Sequence, residues 1–261
     1  QDIPETIPAR PLIEVDRLNL WYGQTHALKD VSFDIHPGEI LAFIGPSGCG
    51  KSTALKCLNR MHDDTRGVRM QGSIRMGGED IHTPDLDVPR FRSRFGWVAQ
   101  KPNPFPTSIY NNVAYGARIQ AVCNTRAELD ALVERCLRRA FLWEETKDML
   151  HSQKGTDLSG GQQQRLCVAR ALAVEPEVML MDEPTGSIDP VATGKLEELM
   201  MDLGRDHAVI VITHSMMEAK RISNRVAYFH LGRLLEISET EAFFAGPRTA
   251  EARAFIEGRF G

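Results

Sequence analysis

Gly45-Pro46-Ser47-Gly48-Cys49-Gly50-Lys51-Ser52-Thr53, preceded by Phe43-Ile44, decides the fold. The stretch matches the spacing G-x-x-x-x-G-K-[ST], and phosphate binding requires these residue types. Glycines let the backbone turn its N–H groups inward around phosphate oxygens, and Lys51 on its long stem reaches the β and γ phosphates. Ser52 supplies a hydroxyl for Mg²⁺. An apolar run, Ile40 to Ile44, precedes the loop and a helix-compatible run, Ser52 to Asn59, follows it, so phosphates would sit at a helix N-terminus. Glycines at 45, 48 and 50 do not give the G-x-G-x-x-G order of a dinucleotide fold.

At 261 residues the chain has the length of one large domain or two closely packed ones. A hydrophobic content of 42% and a charged content of 25% are those of an ordinary globular protein. No stretch approaches the length of a membrane span, so a membrane role would run through partners. The formal net charge of −4 leaves no electrostatic footprint for nucleic acid, and no direct nucleic-acid partner is expected. The basic run Arg90-Phe91-Arg92-Ser93-Arg94 reads as a solvated face or an interface edge. Cys49, Cys57, Cys123, Cys136 and Cys167 are odd in number and lack C-x-x-C spacing, which reads as reduced cytosolic thiols. The N-terminus, Gln1 to Pro11, is polar and proline-rich without an apolar segment, and reads as a loose tail and not a signal peptide.

Ile13, Val15, Leu18 and Leu20 mark one half-buried strand region, and Val31, Phe33 and Ile35 a second. Between them Tyr22 is an exposed aromatic placed to stack on a base or to pack at a strand edge. A strand over Phe95 to Ala99 ends at Gln100. Lys101-Pro102-Asn103-Pro104-Phe105-Pro106 must then be a stiff loop, because prolines lack N–H donors and hold their predecessors extended. From Ser108 to about Leu150 the pattern is helical, with Leu129, Leu132, Val133, Cys136, Leu137 and Ala140 at three- and four-residue spacing. This predicts an inserted helical subdomain, about residues 101–160, within a single domain over 12–261. Its apolar positions suit core packing, its surface a partner.

Leu158-Ser159-Gly160-Gly161-Gln162 opens a helical run, a second place where backbone donors and the helix dipole favour an anion. After Glu177 the chain runs apolar from Val178 to Met181 and ends in Asp182-Glu183, as in a buried parallel strand that delivers acids to its C-terminal end. Asp182 suits Mg²⁺, which leaves Glu183 to polarise an attacking water. Ala208 to Thr213 is a third buried-strand pattern, and His214 after it is expected at the same sheet edge, in reach of a γ-phosphate. The remainder, Arg225 to Ile237 and then Thr240 onward, reads as a hairpin and a short helical tail.

Taken together, Tyr22, the loop at 45 to 53, Gln100, Ser159 to Gln162, Asp182-Glu183, Asp189 and His214 resemble the ordered motifs of ABC transporter ATP-binding subunits. The resemblance implies an α/β fold: a P-loop core with a mainly parallel sheet, an N-terminal antiparallel β subdomain and an inserted helical subdomain. It implies ATP and Mg²⁺ as cofactors, with Gln100 joining Ser52 and Asp182 at the metal and Asp189 at the nucleotide. It implies a head-to-tail pair of copies, Ser159 and Gly161 of one covering the nucleotide held by Lys51 of the other. The stretches Gln100 to Pro106, Ser108-Ile109-Tyr110, Trp143-Glu144-Glu145, Lys147-Asp148, Leu158 to Ala171 and Gly258-Arg259-Phe260-Gly261 are similar to the phosphate-importer branch. Departures are Gly186, where that branch more often carries serine, and the segment Ser152 to Asp157. That likeness implies uptake of inorganic phosphate with two integral membrane permease subunits and, indirectly, a phosphate-binding protein, at the cytoplasmic face of the inner membrane. An importer of another solute, such as polar amino acids, shares the hydrolytic motifs. A nucleic-acid-clamping relative would need coiled-coil or zinc-bearing insertions that this sequence lacks.

Overall fold

The computed structural model describes residues 10–258, so the tail reading over residues 1–9 and the match at Arg259-Phe260-Gly261 lie outside the described residues. The chain divides into two compact units, one made of the residues up to 92 together with those from 203 onward, the other of 93–202. The first opens with β1 (Ile13–Tyr22), β2 (Thr25–Ile35), β3 (Ile40–Ile44), α1 (Lys51–Leu58), β4 (Val68–Met76), β5 (Glu79–Asp80) and α2 (Val88–Arg92). The second holds β6 (Phe95–Val98), α3 (Ile109–Ile119), α4 (Arg126–Arg139), α5 (Trp143–Thr146), α6 (Gly160–Leu172), β7 (Val178–Asp182) and α7 (Pro190–Leu203). The chain returns to the first with β8 (Ala208–Ile212), α8 (Met216–Ile222), β9 (Arg225–His230), β10 (Arg233–Glu239), α9 (Thr240–Ala245) and α10 (Ala250–Ile256). Among the described residues no helix is long and apolar enough to cross a membrane.

In the first unit an antiparallel sheet runs in the order β2-β1-β4-β5. Ile13 and Val15 face the core at odd positions, whereas Leu18 and Leu20 face it at even ones. The phase changes at a bulge between Val15 and Leu18, where Arg17 takes a left-handed φ of 46°. One extra residue restores the same buried face, which is why the simple alternation breaks in the sequence. Beside this sheet β3 pairs in parallel with both β8 and β9, and β9 pairs antiparallel with β10. Every residue of β3 and β8 is buried, as a strand covered on both faces demands. Phe43 packs edge-on against Phe33 at 5.4 Å and tilted against Phe229 at 4.9 Å. At the other end of β3 the buried Glu39 pairs with Arg225 at 2.5 Å, and Arg225 also reaches Asp34 at 3.0 Å, so the buried carboxylate is compensated.

In the second unit β6 and β7 are parallel, in register from Phe95↔Val178 to Val98↔Met181. Leu129, Leu132, Val133, Cys136, Leu137 and Ala140 are all buried, so the helical spacing records core packing. Helix α4 begins with a reciprocal capping box between Thr125 and Glu128. The Pro-rich loop before α3 is held by Asn112, fully buried, which accepts from Phe105 N at 2.7 Å and donates to the Phe105 and Thr107 carbonyls. One side chain thus satisfies backbone groups that prolines leave without partners in a ladder.

The 90–94 run is more anchored than a plain solvated face. Phe91 is buried, Arg92 donates to the Asn59 and Arg60 carbonyls, and Arg94 makes a two-pronged pair with Glu177 at 2.6 and 3.0 Å. These guanidinium groups close local backbone and strand ends while staying partly exposed, and Arg90 is exposed, so the run is a solvated face in part, with Phe91 turned inward.

Candidate functional site

The loop from Gly45 to Thr53 is assembled in the first unit. Gly45, directly after β3, has φ 138°, and a side chain there would run into the Phe229 carbonyl oxygen and lie 3.1 Å from Cys49 Sγ. Gly50 is the N-cap of α1 with φ 109°, and a methyl group on it would lie 2.9 Å from Leu28 Cδ2. Both positions require glycine, for conformation and for space. With glycine as the cap, α1 starts without a side-chain capping bond, so the capping residue itself leaves its first-turn N–H groups to an anion. Lys51 is 5% exposed, and its Nζ donates to the Gly45 and Pro46 carbonyls at 2.7 and 3.0 Å, which fixes the cation against the loop. Ser47 and Gly48 form the exposed tip, while Cys49 is buried and its thiol is pushed up by burial, with Lys51 opposing. Ser52 and Thr53 are half-buried on the first turn of α1.

Tyr22 differs from the exposed aromatic that the sequence suggested. It is half-buried, its hydroxyl lies 3.4 Å from Thr53 Oγ1, and its ring meets His62 edge-on at 5.6 Å. A His62 ring nitrogen lies 3.1 Å from the Thr53 carbonyl oxygen, so the aromatic, the histidine and the first turn of α1 form one cluster. The pairing spans 40 positions and left no signal in the sequence. His214 is exposed directly after β8, in a turn fixed by Ser215, which caps α8 by accepting from Glu218 N, and by the Thr213–Glu218 side-chain bond.

The second unit carries the acids. Asp182 ends β7, and Glu183 takes a left-handed φ of 51°, a conformation that costs a non-glycine residue about 1 kcal/mol or more. The turn brings its carboxylate to 2.9 Å from Gln100 Nε2. Gly186 closes the turn by donating to the Glu183 carbonyl at 3.0 Å, and a methyl group on it would lie 3.6 Å from Gln100 Nε2. The departure noted at Gly186 therefore falls directly against the Gln100–Glu183 contact. Asp189 caps α7, accepting from the Val191 and Ala192 N–H groups at 3.0 Å each, a local role that the sequence did not reveal.

The turn at 158–162 is a capping box. Ser159 Oγ accepts from Gln162 N at 3.4 Å, and Gln162 Oε1 accepts from Ser159 N at 3.0 Å. Gly160 is exposed and Gly161 buried. The three glutamines that follow have separate partners. Gln162 Nε2 donates to Glu145 at 2.9 Å, Gln163 to the Thr156 and Leu158 carbonyls at 3.0 and 2.7 Å, and Gln164 to the Ala99 carbonyl at 2.9 Å, next to Gln100. The sequence marked Glu145 only as part of a stretch of resemblance and left its partners unseen, because a carboxylate in a four-residue helix carries no periodic signal.

Among the described residues no group of three His, Cys, Asp or Glu side chains could hold a metal ion by itself. The donors suggested for Mg²⁺, the Ser52 hydroxyl, the Asp182 carboxylate and the Gln100 carbonyl, are hard oxygens that suit that ion when phosphates supply further ligands. Gln100 commits its amide nitrogen to Glu183 and keeps its oxygen for such a role.

A family model described as ABC transporter matches residues 28–186. The chain belongs to the ABC transporter family. As an ABC domain it binds ATP, and its parallel core sheet, antiparallel N-terminal sheet and helices are the expected fold. The phosphate import ATP-binding protein PstB of Salinibacter ruber is 51% identical to it over 252 residues, 97% of this chain and 100% of that one. CbiO1 of Clostridium perfringens, part of the ABC transporter complex CbiONQ, is 27% identical with a TM-score of 0.79, over 90% of this chain and 91% of that one. The ATP-binding cassette MJ0796, a dimer in a post-hydrolysis state bound to ADP and Pi, is 28% identical with a TM-score of 0.73, over 87% of this chain and 98% of that one.

Proposed function

We propose that this ABC protein is the ATP-hydrolysing subunit of an importer of inorganic phosphate. The observation that carries the cargo is the 51% identity to a phosphate import ATP-binding protein along essentially the whole of both chains. In this reading the loop from Gly45 to Thr53 takes the triphosphate, Lys51 neutralises its outer charge, and Tyr22 contacts the base. Ser52, Asp182 and Gln100 would hold Mg²⁺, which would draw charge from the phosphoryl oxygens. Glu183 orients and polarises the attacking water, and its bond to Gln100 fixes the carboxylate for that task. His214, exposed after β8, contacts the γ-phosphate.

Ser159, Gly160, Gly161 and Gln162 act on the nucleotide held by a second copy of the chain, with Asp189 on the same side. The dimeric state of MJ0796 supports such pairing. The membrane partners are two permease subunits, which places this chain peripherally at the cytoplasmic face, and a phosphate-binding protein takes part indirectly. An exposed apolar patch in the second unit suits the permeases: Phe105 touches Tyr115 at 5.0 Å, and Ile119 on the same helix as Tyr115 is 67% exposed.

Phosphate uptake by cells lacking this protein, complemented with the wild type or Glu183→Gln, tests the reading, with uptake of an amino acid as control. Wild type alone is expected to restore phosphate uptake. Unaffected phosphate uptake with loss of another solute's would overturn the cargo and leave the ATPase.

A further inference from the structure

In the second unit the Glu145 carboxylate accepts four hydrogen bonds from three side chains. Its Oε2 accepts from Gln162 Nε2 at 2.9 Å and from Arg165 Nη2 at 3.1 Å. Its Oε1 accepts from Arg165 Nη1 at 3.0 Å and from Lys195 Nζ at 3.1 Å. Arg165 is nearly fully buried and also donates to the Phe141 carbonyl, so the guanidinium can neither leave nor turn without losing several bonds. Four donors from α6 and α7 therefore converge on one side chain of a four-residue helix.

The consequence lies in the amide of Gln162. A glutamine amide reads the same from either end except for its hydrogen bonds. The carboxylate of Glu145 takes the NH₂ end, which forces the carbonyl end toward Ser159 N and completes the capping box. With a neutral amide at 145, one of the two oxygens becomes a donor. Facing Gln162, it would turn that amide over and point an NH₂ group at the Ser159 N–H. The turn would then lose one of its two reciprocal bonds. Lys195 extends the same anchor to α7, whose N-terminus Asp189 caps.

We propose that Glu145 is a positioning residue for ATP hydrolysis, fixing the 159–162 turn through Gln162 and Arg165 and tying it to the Asp189-capped helix through Lys195. It touches no nucleotide. The proposal rests on the reading that this turn completes the nucleotide site of a second copy.

The test uses the full chain in three measurements: affinity of the single protomer for a fluorescent ATP analogue, turnover at saturating ATP and Mg²⁺, and ATP-driven dimerisation in the Glu183→Gln background. Glu145→Gln preserves volume and is expected to leave protomer affinity near wild type and to lower the unfolding midpoint only slightly, while lowering turnover about tenfold or more, as a displaced catalytic geometry does. ATP-driven dimerisation should weaken in parallel, and Glu145→Asp should recover part of both. Turnover equal to wild type overturns the proposal, as does a loss of turnover that merely follows a loss of fold or of protomer affinity. Should Glu145→Gln not fold, Gln162→Met removes the same bond from its other end, and unchanged turnover there has the same force. Ser159→Trp separates the two levels. If it is inactive while Glu145→Gln is normal, only the role of Glu145 falls; if it hydrolyses ATP normally, the reading of the turn falls and the proposal with it.

Discussion

Helices α1 and α6 both begin at a glycine-bearing turn, yet their N-termini are finished in opposite ways. The cap of α1 is Gly50, which has no side chain to bond the first turn, and Lys51 holds a positive charge at the loop. The cap of α6 is Ser159, whose box with Gln162 consumes two N–H groups, with Glu145 and Gln163 bracing the turn from outside. An open helix end beside a cation is built to be completed by a strong anion. A closed end, stable by itself, has fewer donors to give, and in the proposed reading would serve as a rigid surface brought up against a ligand held elsewhere. Affinity should therefore reside in the first turn and geometry in the second.

Removing the charge from the open end should have the largest effect. A charge-assisted bond to phosphate is worth about 1.5–3 kcal/mol, so Lys51→Ala should weaken ATP binding by about 10–150-fold in equilibrium titration of the protomer. Unchanged affinity would dissolve the distinction between the two turns. The loss should appear in binding as well as turnover, because in the proposed reading Lys51 would meet the ground-state nucleotide too.

Removing the cap from the closed end should act on a different quantity. Ser159→Ala deletes the acceptor for Gln162 N, a change that costs about 1 kcal/mol and lowers the thermal midpoint by about 2–4 °C. ATP affinity of the protomer should stay at the wild-type value, with turnover reduced. A fall in protomer affinity as large as that of Lys51→Ala would show that the turn is a primary phosphate site after all.

The two turns were also unequally legible in the sequence. The conformation of the Gly45–Thr53 loop was legible, since its glycine positions and its flanking apolar run state local requirements, and β3, β7 and β8 follow from uninterrupted apolar runs. The helical spacing from Leu129 to Ala140 was legible for the same reason. What escaped were contacts between residues far apart: His62 under Tyr22, Asn112 inside the Pro-rich loop, and Glu145 under Gln162 and Arg165. A polar side chain that bonds another segment looks, in sequence, like one that faces water. Arg92 and Arg94 hid their partners in that way, and the run of glutamines at 162–164 hid four different acceptors behind one repeated letter.

The smallest effect isolates the brace itself. Hydrogen bonds from Arg165, then from Gln162 and Lys195, hold the Glu145 carboxyl down to about 2 from its ordinary 4.5, with burial opposing. A carboxylate whose pKa is lower in the folded chain than in the unfolded one contributes stability fully above the unfolded value and loses it as pH falls through the folded one. The contribution of Glu145 should therefore be complete above pH 4.5 and vanish by about pH 2, and the group is exposed enough for solvent to keep it small. Since protonated glutamic acid and glutamine are alike in charge and shape, the urea midpoints of wild type and Glu145→Gln should differ at neutral pH and converge across that window. A constant difference down to pH 2 would mean that the carboxylate is not held by charge, and that the closed turn owes its rigidity to the Ser159–Gln162 box alone.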